Sequence, residues 1–240
     1  MNKINIGVKH FFKDKFLSIT IPAYNEEDNI ELAVMDAAKA LRSITNKYEI
    51  LVINDGSTDH TAQKLQKLRK RYNNLRVITF EKNKGVGEAL HTIYNNVRGD
   101  YIFLNAADNQ VHMDELYRLL PYAMTNDIVV GNRTNRADSQ IRRIVAKIFS
   151  TVIRLRFGVK VKDIDSCKIY KTSIFKKIKL QSHTAFIETE IFIRSTKAGL
   201  KIVEVPIQHY PRLKGKAKGI KLRIIIPQLW QMFKAIFKKW

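Results

Sequence analysis

The sequence predicts an α/β domain, in which a Rossmann-like, mostly parallel sheet carries helices on both faces. Two observations predict this fold. Short apolar runs alternate with helical stretches between residues 16 and 131, as expected of parallel strands joined by crossover helices. Each apolar run ends in a polar or glycine-containing segment. Such segments meet at the carboxyl edge of a parallel sheet, where ligands bind.

The apolar runs give five predicted strands, at residues 16–22, 48–54, 75–80, 101–104 and 127–131. The run at 101–104 is apolar throughout, which suits a strand covered on both faces. Helices are predicted in the intervals: one that opens at 23–28 and continues to Leu41, one that carries Leu65 and Leu68, one at 88–97 and one at 112–124. Acidic residues at 26–28 favour a helix start there, because they complement the helix dipole.

The second half has a different character. Residues 141–157 and 225–240 each place apolar side chains at helical spacing, with Lys and Arg on the remaining faces. Pro227 fits the first turn of the second helix. Either helix fits a core-packing role with a solvated basic face, and either fits a segment lying in the plane of a membrane surface. We therefore predict a terminal extension at 1–15, a main domain at 16–220 and a basic amphipathic membrane-interface helix at 221–240.

Charge is distributed unevenly along the 240 residues. Residues 1–140 hold 19 Lys and Arg against 17 Asp and Glu, whereas residues 141–240 hold 24 against 5, which gives net charges of +2 and +19. This asymmetry predicts a polyanionic partner for the second half, such as an anionic membrane surface, a phosphorylated ligand or nucleic acid. We expect no signal peptide and no transmembrane span. A single cysteine, Cys167, excludes an internal disulfide and fits a reducing compartment.

The segment after the fourth predicted strand is the main candidate site. Asp108 and Gln110 lie two residues apart where that strand ends. Carboxylate and amide oxygens are hard ligands, of the kind that hold Mg²⁺ or Mn²⁺ against a phosphate. An ordinary polar turn is the alternative interpretation of this pair.

Six motifs in order resemble a known family. They are Ile21-Pro-Ala-Tyr-Asn-Glu-Glu27, Val52-Ile-Asn-Asp-Gly-Ser-Thr-Asp59, Lys84-Gly-Val-Gly-Glu-Ala-Leu90, Ala107-Asp-Asn-Gln110, Gly131-Asn-Arg133 and Glu204-Val-Pro-Ile-Gln-His-Tyr-Pro-Arg212 with Gly215 and Lys218. Together they resemble family 2 glycosyltransferases of the dolichyl-phosphate mannose synthase type, over about residues 16–220. The resemblance implies a GT-A fold and a reaction between a nucleotide sugar and a polyprenyl phosphate.

The resemblance also implies roles for single residues. Pro22, Tyr24 and Glu26 are expected to surround the nucleotide base, Ile53 and Asp55 to lie beside base and ribose, and Ala107 to join the nucleotide site. Asp108 and Gln110 are expected to bind the Mg²⁺ or Mn²⁺ that bridges the diphosphate. Arg133, Arg212 and Lys218 are expected to face phosphates of donor or acceptor, where cations can stabilise the departing charge.

The sequence departs from the family pattern in several places. Ala106 stands where the first carboxylate of an Asp-Xaa-Asp motif is usual, and Asn54-Asp55 replaces an Asp pair. The acceptor-side segment 161–170 is altered, so that either Asp163 or Asp165 takes the family's acidic position. Glu188 and Glu190 are expected either to hold basic side chains or to be surface residues, and His209 is interpreted as structural.

The predicted function is inverting transfer of a sugar from a UDP- or GDP-sugar to undecaprenyl or dolichyl phosphate, by a peripheral enzyme at the cytoplasmic face of the membrane. An ionised phosphate acceptor needs little general-base assistance. One alternative is a soluble hydroxyl or saccharide acceptor, for which Asp163 or Asp165 would be the base. A non-catalytic transferase and a nucleic-acid-binding protein are further alternatives, although no nucleic-acid partner is expected. A membrane-protein partner or a homo-oligomer is compatible with the sequence.

Overall fold

A computed structural model describes residues 5–134, 140–211, 230–231 and 233–234, and within 140–145 it describes the side chains of Gln140 and Ile144 only. The strands are β1 Leu17–Ala23, β2 Tyr48–Asn54, β3 Leu75–Thr79, β4 Tyr101–Leu104, β5 Ile128–Arg133, β6 Lys168–Lys171 and β7 Ile202–Ile207. The helices are α1 Ile6–Phe12, α2 Ile30–Ile44, α3 Thr61–Arg71, α4 Val86–Asn96, α5 Asp114–Ala123, α6 Gln140–Phe157, α7 Ile174–Lys177 and α8 Ile187–Lys197. The predicted α/β class is confirmed.

The seven strands form one sheet in the order β3-β2-β1-β4-β6-β5-β7. All neighbouring pairs are parallel except those of β6, which runs antiparallel to both β4 and β5. Six strands therefore point the same way, and their carboxyl ends share one edge of the sheet. Because β6 is reversed, its beginning and the loop that precedes it lie at this same edge.

Two apolar layers cover the sheet. On one face, buried residues of α1, α2, α3 and α5 pack together with the sheet. On the other face, buried residues of α4, α6, α7 and α8 do so. Helices on both faces explain why β1, β2 and β4 are apolar nearly throughout, since a strand covered on both sides has no solvent-facing side chain. Phe12 of α1 is fully buried and packs edge-on against Tyr101, with ring centroids 5.0 Å apart.

Three local predictions need correction. The helix expected to open at 23–28 begins at Ile30, because the polar segment before it forms a loop in which Asn25 has a φ of 53°. Strands β6 and β7 were not predicted. Their sequences, KIYK and IVEVPI, are short and carry Lys, Glu or Pro, so neither shows the long apolar run used to find the other strands.

Helix α6 is present, as expected, but its predicted apolar stripe packs against the core only in part. The residues of that stripe are Ile141, Ile144, Val145, Ile148, Phe149, Val152 and Leu155. Phe149 packs against the core together with Ile153 and Phe157, which are buried and lie outside the stripe. From the stripe, Ile144, Ile148 and Leu155 are exposed. The helix thus leaves a basic and apolar face in solvent. The predicted helix at 225–240 lies outside the described residues, apart from 230–231 and 233–234.

Candidate active site at the carboxyl edge of the sheet

A cavity of about 340 Å³ opens at the carboxyl edge of the sheet. It is lined by Pro22, Val86, Leu90, Leu104, Asn105, Ala106, Asp108, Gln110, Val111, Arg133, Asp165, Ser166, Cys167, Lys168, Ala185, Glu188 and His209. Its wall therefore combines the ends of β1, β4 and β5 with the beginning of β6. Five of the predicted site residues come together here, namely Pro22, Asp108, Gln110, Arg133 and Asp165.

The loop after β4 is held in a tight turn. The Gln110 amide donates to Asp108 Oδ1 at 3.2 Å, and the intervening Asn109 has a φ of 55°, a conformation that Asn tolerates better than most residues. The Tyr210 amide donates to the Gln110 carbonyl at 2.8 Å, and Gln110 Nε2 donates to the Tyr210 carbonyl at 3.4 Å. These bonds tie the loop to the segment after β7 and place His209 in the same cavity.

Asp108 and Gln110 supply two hard oxygen donors, both half-buried, in the cavity wall. Within the described part of the chain, no cluster of three or more His, Cys, Asp or Glu side chains is placed to enclose a metal ion. Mg²⁺ is usually held by only one or two protein carboxylates together with substrate phosphates. The donor set therefore fits a divalent ion completed by a bound diphosphate, and it does not fit a metal site made by protein alone.

Arg133 and Asp163 form a paired contact at the end of β5. Arg133 Nε donates to Asp163 Oδ2, and Arg133 Nη2 donates to Asp163 Oδ1, each at 2.7 Å. The side chains are 9% and 6% exposed. The amides of Lys162 and Asp163 donate to Glu204 Oε1 at 2.7 and 3.0 Å, which fixes the loop that carries the carboxylate. Asp163 thus orients the guanidinium.

Asp165 differs from Asp163 in its surroundings. It is exposed and lines the cavity. Among residues 5–134 and 140–211, none makes a hydrogen bond or an ion pair to it. The two candidate acidic residues of the acceptor-side segment therefore have separate environments, and Asp165 is the one whose carboxylate is accessible from the cavity.

Asp55, at the end of β2, organises the loop before α4. Its carboxylate accepts hydrogen bonds from the Lys84 amide at 2.7 Å, the Gly85 amide at 2.9 Å and Asn83 Nδ2 at 2.9 Å. Burial raises the pKa of Asp55, and the two backbone N–H groups oppose this rise. The Asp55 carboxylate thus holds the β3–α4 loop in place through three hydrogen bonds.

The remaining predicted nucleotide residues surround this edge without lining the cavity. Tyr24 and Glu26 lie in the loop after β1, which is joined to the loop after β2 by a hydrogen bond from the Asn25 amide to Ser57 Oγ at 2.9 Å. Ile53 and Ala107 have side chains buried in the core. Their expected place beside the nucleotide stays a prediction, and with buried side chains any contact there would be made by their backbone atoms. Arg212 and Lys218 lie outside the described residues.

One charged cavity residue, Lys168, was not singled out from the sequence. Glu188, for which two roles were considered, and His209, interpreted as structural, also line the cavity. Glu188 and Glu190 are both buried and pair with Lys168 and Arg194, which settles the question of whether they hold basic side chains. Lys168 lies at the cavity because β6 runs antiparallel to its neighbours. No local pattern in the sequence predicts that reversed direction.

Two further observations bear on the second half of the chain. Burial raises the pKa of the Cys167 thiol to about 12, so this cavity residue is neutral at physiological pH.

Across the helices that the structure describes, none has the length and apolarity required to cross a bilayer.

The chain resembles known proteins in sequence. The family model described as "Glycosyl transferase family 2" matches residues 18–179. Undecaprenyl-phosphate 4-deoxy-4-formamido-L-arabinose transferase of Photorhabdus laumondii is 31% identical over 218 residues, which is 90% of this chain and 66% of the relative. The protein of the same name from Edwardsiella ictaluri is 28% identical over 214 residues, 88% of this chain and 65% of the relative. The chain thus spans about two thirds of the length of these curated relatives.

The fold also resembles solved structures. Glucosyl-3-phosphoglycerate synthase from Mycobacterium tuberculosis, in complex with Mn²⁺, UDP and glucosyl-3-phosphoglycerate, superposes with a TM-score of 0.68 at 19% identity, covering 97% of this chain and 81% of that one. A mannosyltransferase from Pyrobaculum calidifontis, in complex with GDP-Man and Mn²⁺, gives a TM-score of 0.66 at 16% identity, covering 94% and 65%. The predicted GT-A fold is confirmed, and with the family match over most of its sheet this chain belongs to glycosyl transferase family 2.

Proposed function

We propose that this protein transfers a sugar from a nucleoside diphosphate sugar to a polyprenyl phosphate, with inversion at the anomeric carbon. The single observation that carries the proposal is that Asp108, Gln110, Arg133 and Asp165 share one cavity at the carboxyl edge of the sheet. The relatives named as undecaprenyl-phosphate transferases support undecaprenyl phosphate as the acceptor.

The chemistry follows from the charges in the cavity. An oxygen of the acceptor phosphate attacks the anomeric carbon, a new C–O bond forms, and the bond to the nucleoside diphosphate breaks with its electron pair. A phosphate monoester is already ionised near neutral pH, so no base has to remove a proton. Arg133, held by Asp163, stabilises phosphate charge through its planar fork. A divalent ion held by Asp108 and Gln110 would neutralise the diphosphate as it departs.

A second candidate acceptor is a sugar hydroxyl, and one observation favours it. The exposed carboxylate of Asp165 lies in the cavity, where it is available as the base that a hydroxyl acceptor requires. The two candidates differ in the expected effect of Asp165→Asn. A hydroxyl acceptor predicts loss of most activity in this variant, whereas a phosphate acceptor predicts that much of it remains.

Donor binding is tested first. We expect UDP- or GDP-sugars to raise the melting temperature more strongly with Mn²⁺ than without it, since a ligand that binds only the folded state stabilises it by mass action. Transfer is then tested with radiolabelled nucleotide sugar and undecaprenyl phosphate. Label that enters the organic phase after extraction supports the proposal, and label that stays wholly in the aqueous phase contradicts it.

We further propose that the protein binds the anionic cytoplasmic face of the membrane through the outer face of α6. Ile144, Ile148 and Leu155 are 58%, 60% and 83% exposed, and Lys147 and Arg154 are exposed beside them. Trp230 and Phe233 are exposed as well. Apolar side chains among basic ones are typical of helices that lie in a membrane surface, and each basic residue near an anionic leaflet adds about 1 kcal/mol to binding.

Sedimentation with vesicles tests this surface. Wild-type protein should pellet with vesicles that contain phosphatidylglycerol and should remain largely soluble with phosphatidylcholine alone. Ile148→Glu should weaken pelleting, because it places a carboxylate among the inserted side chains. Leu32→Glu is the matched control, since Leu32 is an exposed apolar residue of α2 on the other face of the sheet. Equal pelleting of the two variants would contradict the assignment to α6.

A further inference from the structure

A buried ion pair forms the inner end of the cavity wall. Lys168 and Glu188 are 2% and 5% exposed, and the Lys168 ammonium contacts Glu188 Oε2. The Tyr94 hydroxyl donates to Glu188 Oε1, and the Tyr170 hydroxyl donates to Oε2 at 3.1 Å. Both members of the ion pair line the same cavity as Asp108 and Arg133.

Three elements hold this cluster in place. Lys168 and Tyr170 come from β6, Glu188 from α8 and Tyr94 from α4. The rings of Tyr94 and Tyr170 meet edge-on with centroids 5.8 Å apart, and Phe175 stacks on Tyr94 at 4.6 Å. Burying a Lys–Glu pair is a weak way to stabilise a fold, because desolvation offsets most of the attraction. The position of the pair beside the cavity therefore calls for a functional explanation.

The Lys168 ammonium has more N–H donors than its contact with Glu188 uses. A lysine ammonium carries three N–H donors. Within the portion of the chain that the structure describes, Glu188 is the one hydrogen-bonding or ion-pair partner of the Lys168 ammonium. Leaving buried N–H groups of a charged side chain without partners is costly. A molecule that fills the cavity can satisfy them.

The register of the sheet shows where Lys168 lies relative to the loop of Asp108 and Gln110, where the diphosphate is expected. Lys168 lies directly opposite Leu104 on the neighbouring strand. Ala106 follows two residues after Leu104 and is exposed in the cavity, and Asp108 follows two residues later. The ion pair thus lies inward from the loop that carries Asp108 and Gln110, and the small side chain of Ala106 is part of the wall beyond the sheet.

We propose that Lys168 binds an oxygen of the transferred sugar, with Glu188 as its positioning residue; this inference rests on the proposed function. The pair as a whole is neutral, so it does not favour a phosphate, which the Glu188 carboxylate would repel. A sugar hydroxyl suits it, because a neutral hydroxyl oxygen accepts from the Lys168 ammonium without being repelled by the Glu188 carboxylate. Lys168 thereby contributes to the choice of donor sugar.

The test separates binding of the sugar from binding of the nucleotide. The double variant Lys168→Met/Glu188→Gln removes both charges while keeping the side chains similar in size, which avoids leaving one buried charge unpaired. Calorimetric titration with Mn²⁺ compares UDP with UDP-glucose and UDP-galactose, and GDP with GDP-mannose. Relative to wild type, we expect the variant to bind the nucleoside diphosphate equally well and to bind the preferred nucleotide sugar about 10- to 100-fold more weakly, as for loss of a hydrogen bond to a charged group.

A matched control comes from the same helix. Arg194→Met/Glu190→Gln removes a second ion pair of α8, in which Arg194 Nε donates to the buried Glu190 Oε1 at 2.7 Å and neither residue lines the cavity. Its ratio of nucleotide-sugar affinity to nucleotide affinity should equal that of wild type. Lys168→Arg serves as a second variant, because it keeps the charge and should alter the order of preference among the sugars.

The outcomes are distinguishable. An unchanged affinity ratio in the Lys168→Met/Glu188→Gln variant overturns the inference and leaves the proposed function intact. If that variant does not fold, an unchanged sugar preference in Lys168→Arg overturns the inference instead. Wild-type protein that binds UDP or GDP but gains no affinity from any attached sugar overturns the proposed function, and the inference with it.

Discussion

Arg133 and Asp163 are 30 residues apart in the chain, and two hydrogen bonds of 2.7 Å join the guanidinium to both carboxylate oxygens. A third bond, at 3.2 Å, runs from the Arg133 amide to Asp163 Oδ2. Both side chains are almost fully buried, and Arg133 lines the cavity. Asp163 therefore acts on the site through Arg133, and the carboxylate accessible to a substrate is that of Asp165.

The first prediction separates these two acidic residues by stability. Asp163→Asn leaves the buried guanidinium without its counter-charge, so we expect the free energy of unfolding to fall by about 3–5 kcal/mol. Asp165→Asn changes an exposed side chain and should change the free energy of unfolding by less than about 0.5 kcal/mol. Urea unfolding followed by circular dichroism measures both. Equal destabilisation by the two variants would show that the Arg133–Asp163 contact contributes little.

The second prediction concerns Asp108. Asp108→Asn removes one of the two predicted metal ligands in the cavity, so Mn²⁺ should no longer increase the affinity for the nucleoside diphosphate. Binding without metal should change much less. Calorimetric titration of UDP and GDP, with Mn²⁺ and with EDTA, measures this difference. Asp14→Asn, an exposed acidic residue after α1, controls for the loss of one negative charge and should retain the Mn²⁺ effect.

A third prediction depends on the close approach of a loop to α4. A Cβ atom on Gly87 would lie 2.2 Å from the Thr184 carbonyl carbon and 2.4 Å from the His183 oxygen. Replacing glycine by alanine within a helix normally stabilises it by about 0.5–1 kcal/mol. We expect the opposite sign for Gly87→Ala, because backbone atoms at that distance cannot give way without moving the loop next to Ala185 in the cavity wall.

The control for Gly87 is a second helical glycine. A Cβ on Gly7 of α1 would meet only the Asn5 side-chain oxygen, at 3.2 Å. Gly7→Ala should therefore leave the melting temperature unchanged or slightly raised, whereas Gly87→Ala should lower it. A rise in both would show that the loop at 183–184 adapts freely.

The fourth prediction uses the raised pKa of Cys167. In the folded protein, iodoacetamide at pH 8 should react with the thiol only as fast as the protein opens, because the group is buried and its pKa is raised to about 12. In 6 M guanidinium chloride the reaction should be rapid. Mass spectrometry after timed quenching gives both rates, and fast labelling of the folded protein would contradict the burial of the thiol.

The same shift makes stability depend on pH. The ordinary value for this thiol is 9.0, so above about pH 9 the unfolded chain loses the proton while the folded chain keeps it. The free energy of unfolding should therefore fall as the pH rises from 9 towards 12. Cys167→Ala should remove this contribution, which is measured as a smaller difference in melting temperature between pH 8 and pH 10.

The sequence by itself determined the parts of the fold that depend on local pattern. The buried strands β1, β2 and β4 have apolar runs, and the polar loops after them carry Asp55, Asp108 and Gln110. Because parallel strands end at one edge, these loops were expected there, and the structure places them there. A strand covered on both faces appears as a continuous apolar run of neighbouring residues, so a single sequence contains this signal.

Only the tertiary structure decided which distant residues meet. The reversal of β6 places Lys168 opposite Leu104, and the order β6-β5-β7 joins Asp163 to Arg133 and to Glu204. These contacts depend on strand order and direction, which are set by the packing of the whole sheet. The local sequence pattern does not determine that packing. The ion pair of Lys168 and Glu188 at the inner end of the cavity could therefore be found only from the tertiary structure.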